Sequence, residues 1–209
     1  MSFIKTVSED SATGLAAELQ GRDRAALGYV PNYAKLFTLR PEVYEAWAKL
    51  NGAVKKSMDR RRYELGTVAA ATALRSSYCS LAHGRRLAER FLPADQVKQI
   101  ARNPEAASLD PADRAVVDFA RKVALSADEV TASDVDRLKS VGLTEEEIFD
   151  VVLVAALRCF FSKTLQATGT APDDVYQALD PDLRESLTVG RPMEELGTPL
   201  EERDVRDDA

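Results

Sequence analysis

Apolar positions return every three or four residues along most of the chain, and no stretch alternates apolar and polar residues between turns as a strand would. The segment SEDSATGLAAELQGRDRAALG opens with Ser and Asp cap candidates and carries Leu15, Leu19 and Leu27 at helical spacing. GYVPNYAKLFTLRPEVYEAWAKL predicts a turn at Pro31 and Asn32, a short apolar helix, and a second helix with Pro41 in its first turn. An alanine-rich helix is expected from about Asp59 to Arg75, and a new one after Ser76 and Ser77 interrupt the pattern. Further on, Asp110 and Pro111 mark a helix start. Gly142 separates two later helices, and Thr144 with Glu147 fits a capping box at the start of the second. The fold class is all-α.

Residues 1–183 form one helical domain on this reading. The charged segment 184–209, with Pro and Gly but little apolar periodicity, is a tail, either mobile or an arm that orders on a neighbouring subunit. A weak internal repeat supports two related helical halves, because a shift of 83 positions lays Ala73-Leu74-Arg75 over Ala156-Leu157-Arg158. The same shift sets Ser76 over Cys159 and Cys79 over Ser162, so only the first half keeps a thiol beside a histidine.

Composition narrows the function classes. A net charge of −6 with 30% charged residues argues against a general nucleic-acid or anionic-membrane surface. The longest apolar run, Val151 to Leu157, is far short of a membrane span, and the first residues lack a signal-peptide core. Two cysteines do not make a secreted disulfide framework, so a soluble, cytoplasmic protein is expected.

Chemistry gathers in LRSSYCSLAHGRR, which holds the only histidine, His83, four residues after Cys79. That spacing places thiol and imidazole on one helical face, with Cys79 in the first turn, where amides and dipole favour a thiolate. The plainer alternative is a buried packing cysteine. Glu64, on the preceding helix, is either a solvated carboxylate or the group that orients His83, giving a Glu–His–Cys relay. Tyr78 either donates to a bound oxygen or closes the helix end, and Arg75 and Arg85 flank the site. Tyr33, Phe37, Tyr44 and Trp47 are core residues or line an apolar pocket. One histidine and one nearby cysteine fall short of a zinc site, so neither metal nor other cofactor is expected.

Glu64 followed by Ser76-x-x-Cys79-x-x-x-His83 resembles the signature of the AhpD-like (alkylhydroperoxidase D-like) and carboxymuconolactone decarboxylase superfamily. Peroxidase members of that family carry a Glu and then Cys-x-x-Cys-x-x-x-His. GYVPNYAKLFTLRPEVYEAW is similar to the Gly-x-x-Pro-Asn segment of its peroxidase-related branch, and LTEEEIFDVVLVAALRCFF to its second-half helix. The resemblance implies an all-helical AhpD-like fold, a homo-oligomer (trimer or hexamer), and an antioxidant oxidoreductase acting on small hydroperoxides. By residue matching, Cys79 attacks the peroxide, Glu64 and His83 form the relay, and Ser76 stands at the resolving position. A serine cannot close that disulfide, so an external thiol reductant, or Cys159, must recycle the sulfenic acid. Two alternatives are a decarboxylase- or isomerase-like proton-transfer enzyme on a small acid, and a non-catalytic binding or assembly protein with a relic site.

Overall fold

The computed structural model describes residues 2–193, which form ten α-helices and no strand. They are α1 (Gly14–Leu27), α2 (Asn32–Phe37), α3 (Pro41–Ser57), α4 (Arg60–Ala73), α5 (Ser77–Arg90), α6 (Ala94–Arg102), α7 (Pro111–Ser126), α8 (Ala132–Ser140), α9 (Glu145–Ala167) and α10 (Pro181–Leu187). Most boundaries fall where local chemistry puts them. Asp59 accepts from the Arg62 amide and Asp110 from the Asp113 amide, while the Thr144–Glu147 box closes reciprocally. Pro41 and Pro111 occupy first helical positions, and Gly142 takes the left-handed conformation (φ 93°) that ends α8.

Helix α4 is the centre of the molecule, packed against α5, α7 and α9, and every residue from Tyr63 to Thr72 is buried. Its small residues allow that crowding; Gly66 faces Val154 and Val116 at contact distance. The larger core cluster lies around α4, α7 and α9. A smaller one joins Leu19, Ala34, Phe37 and Tyr44 of the first three helices to Cys79, Phe161 and Leu165. The functional residues lie where this N-terminal layer meets α4, α5 and α9.

The break between α4 and α5 is sharp. Arg75 has φ 56°, the one non-glycine residue in the left-handed region among those described, and Ser76 then leads into α5. Ser76 occupies the N-cap by backbone position only. Its ψ of 94°, against 168° at Thr144, leaves its hydroxyl without a capping bond. The expected hydroxyl cap is therefore absent, and Ser77 Oγ instead accepts from the Gly190 amide. Helix α9 runs unbroken through the positions that the 83-residue shift aligns with this break, so the repeat does not extend to the turn that sets Cys79 at a helix start.

Helix α10 continues past Arg184 to a fully buried Leu187, so the sequence boundary at residue 184 cuts through an ordered helix; residues 194–209 of the expected tail lie outside the described residues. Gly84 makes the docking possible, because a Cβ there would run into the Leu187 side chain. Gly84→Val is expected to lower stability by about 1–3 kcal/mol through overpacking. Chemical denaturation checks it, with an unchanged midpoint as the contrary result.

Candidate active site

Glu64, on α4, is 4% exposed, and its Oε2 lies 2.6 Å from His83 Nδ1 on α5. On the other side of the imidazole, Arg158 Nη1 of α9 lies 3.3 Å from His83 Nε2. A guanidinium has only donors, so Nε2 accepts and the ring proton sits on Nδ1, donated to Glu64. The imidazole is thus held between a carboxylate and a guanidinium.

The electrostatics follow from burial and neighbours. Burial lowers the His83 pKa to about 4, with Arg158 and Arg86 pushing the same way against Glu64, so the ring is neutral at pH 7. Burial alone raises the Glu64 carboxyl. The His83 interaction, with Arg86 and Lys55, more than offsets this and holds it below its ordinary value.

Cys79 is the third residue of α5, 1% exposed, and lines the same cavity as His83 and Arg158. Among the described residues no hydrogen bond joins Cys79 to His83, and Nε2 is engaged by Arg158. Ser76 is equally buried, but it lies off the cavity and its Oγ has no hydrogen-bond partner. Cys159 is on α9, donating to the Ala124 carbonyl at 3.6 Å and packing with the α7 side of the core, whereas Cys79 belongs to the other cluster. Both cysteines are free.

The cavity is about 610 Å3. All six tyrosines of the chain, Tyr29, Tyr33, Tyr44, Tyr63, Tyr78 and Tyr176, line it, together with the single tryptophan, Trp47. Burial raises every one of these phenols above its ordinary range, so they are neutral at physiological pH. Phe37 does not reach the cavity; it stacks on Phe161 at 4.9 Å.

The Tyr78 hydroxyl is committed to the fold, since it donates to Asp173 Oδ2 at 2.6 Å and accepts from the Tyr33 amide at 3.3 Å. Asp173, 4% exposed, also accepts from the Asn32 amide, tying the start of α2 to the segment after α9. Tyr78 thus lines the cavity with its hydroxyl already engaged. Arg85 lines the cavity but pairs with Glu89 at 2.7 Å, and Arg75 is exposed outside it. Among the described residues no group of His, Cys, Asp and Glu is gathered for a metal ion, and no helix is long and apolar enough to cross a membrane.

Arg158 was not among the residues that spacing singled out. Its signal was a single charge inside the apolar run VVLVAALRCFF, at a position one helical turn from Phe161.

Residues 41–122, which carry Glu64, Cys79 and His83, match the carboxymuconolactone decarboxylase family model. That match takes in the segment holding the site, and it agrees with the resemblance of its motif to the AhpD-like and carboxymuconolactone decarboxylase superfamily. Its fold is similar to an AhpD-core, peroxidase-related protein from Ralstonia eutropha JMP134 (TM-score 0.77, 24% identity, 84% of this chain and 94% of that one). A peroxidase-related protein from Silicibacter sp. TM1040 aligns with TM-score 0.74 and 22% identity over 83% of this chain and 95% of its own. The debrominase Bmp8, as a Cys-to-Ala variant with 2,3,4-tribromopyrrole, aligns with TM-score 0.70 and 16% identity over 88% of this chain and 96% of its own. A search of curated proteins found no match.

Proposed function

We propose that this protein is an AhpD-like, one-thiol peroxidase that reduces organic hydroperoxides at Cys79 with an external thiol. The observation that carries the reading is a Glu64-bound neutral imidazole, its side chain 12% exposed, lining one cavity with a cysteine at a helix start. In the first step the Cys79 thiol proton passes to His83 Nε2 once Arg158 withdraws from it. The sulfur then attacks a peroxide oxygen and the O–O bond breaks. The leaving alkoxide takes the proton, so Cys–SH and ROOH give Cys–SOH and ROH. Two external thiols next reduce the sulfenic acid, yielding a disulfide between them, water and the resting thiol. The opposed packing of Cys159 supports an external reductant over an internal one.

Cumene hydroperoxide followed by dimedone is expected to label Cys79, and not Cys159, with one adduct per chain on peptide mass mapping. An unlabelled Cys79 would sink the proposal. The absent Cys79–His83 hydrogen bond favours one second reading, a proton-transfer enzyme in which His83 is the base and the thiol only lines the wall. Turnover that survives Cys79→Ser and is lost in His83→Ala selects that reading.

A further inference from the structure

Among the described residues Arg158 is the largest fully buried side chain, 2% exposed, and it has no carboxylate partner there. Its guanidinium lies against the rings of Phe161 and Trp47, 5.4 and 5.9 Å from their centroids. Nη1 is used on His83, and Nε has no acceptor. Among the described residues no hydrogen bond or ion pair engages Nη2 either, which leaves the Nε–Nη2 edge, the fork that matches a carboxylate with two parallel hydrogen bonds, without a protein partner there. A buried charge left without a counter-charge is costly to a fold, so its retention needs a compensating anion.

The rest of the lining points the same way. In a chain of net charge −6, the cavity also carries Lys55, Arg86 and Arg90, none with a carboxylate in ion-pair range among the described residues. Its acidic residues are already occupied, Asp23 by the Tyr44 hydroxyl at 2.6 Å and Glu89 by Arg85. The walls between these charges are aromatic and neutral, suited to edge and offset contacts with a flat ring.

We propose that Arg158 is the receptor for an aromatic organic anion, gripping its carboxylate through the free guanidinium edge while the tyrosine and tryptophan rings enclose its body. The inference deepens the peroxidase reading by naming the substrate class, yet binding needs no reactive thiol. An anion on this fork also gives Arg158 a stronger partner than His83 Nε2, and so releases the base.

The test titrates the Cys79→Ser protein with naphthalene-2-carboxylate and with its neutral carboxamide, following the fluorescence of the single tryptophan, Trp47, beside the guanidinium. The carboxylate is expected to bind at least about tenfold more tightly, as befits a charge-assisted bidentate contact. Arg158→Gln should remove that preference while leaving carboxamide binding in place. Equal affinity for the two probes, binding of neither, or a preference that persists in Arg158→Gln overturns the assignment. The wild-type ratio decides the matter even if the variant fails to fold. Thermal melting gives an independent reading: with no anion present, Arg158→Gln should melt no lower than the parent, and a lower midpoint marks a purely structural arginine. The dimedone test uses wild-type protein and uncharged cumene hydroperoxide and neither of these probes, so the peroxidase reading is decided by a separate measurement.

Discussion

Ser76→Cys is expected to convert the site from one thiol to two, raising dithiol-dependent hydroperoxide turnover by about a hundredfold through intramolecular resolution. The position is already built to accept a thiol. Ser76 is 1% exposed and its Oγ has no hydrogen-bond partner, a hydroxyl desolvated for no return. A thiol there behaves as a small hydrophobe, so the substitution should also stabilise the fold by about 1 kcal/mol. Ser76 is the N-cap of α5 and Cys79 the helix's third residue, so a pair at these positions would form a Cys-x-x-Cys unit at a helix N-terminus. Because Cys79 lines the cavity and position 76 does not, peroxide is expected to oxidise Cys79 first. Thiol counting reads the result directly. Wild type has two free thiols and should lose one to a single equivalent of hydroperoxide. The variant starts with three and should lose two, leaving nothing for dimedone to trap. A sulfenic acid that stays trappable in the variant shows that side chain 76 points away from the Cys79 sulfur.

The fold was largely legible because its helix ends are marked by local chemistry. Asp110, Thr144, Pro41 and Gly142 act within one turn of themselves and need no tertiary context. The same locality explains the failure at Ser76. Backbone position follows from the break at Arg75, but hydroxyl direction depends on ψ and on the C-terminal segment that takes Ser77 instead. In the site, Glu64 and His83 meet at 2.6 Å although nineteen residues separate them, a pairing that the motif foretold and periodicity alone did not. Arg158 lay beyond reach of either. It comes from a helix seventy-five residues further on, and spacing within one helix carries no word of what another brings to it. The convergence of six tyrosines from α2, α3, α4, α5 and two connecting segments is a tertiary fact of the same kind.

Glu64→Gln is expected to slow oxidation of Cys79 by about a hundredfold, the share commonly lost with a general-base assembly. An amide oxygen can still accept from His83 Nδ1, so the ring should stay in place while the charge behind it vanishes; crystallography or NMR of the variant checks the geometry. The pH dependence separates lost charge from lost structure. In wild type His83 is neutral above about pH 4, so the oxidation rate should fall on the acid side only near that value. Glu64 raises the His83 pKa against burial, and its removal should move the acid limb to lower pH while depressing the whole profile. Stability carries the same signature. The unfolded imidazole takes a proton near its ordinary 6.5, whereas the folded one resists until about 4. The unfolded state therefore binds more protons across that window, and the protein should lose stability as pH falls through it. The depressed Glu64 carboxyl acts in the same direction, its contribution present above the ordinary carboxylate value and lost as pH falls through the lower folded one. His83→Gln should flatten the slope of melting temperature against pH between about 6.5 and 4. Equal slopes in the two proteins would mean that the imidazole is solvated, and a solvated imidazole cannot be the held base on which the oxidation step depends.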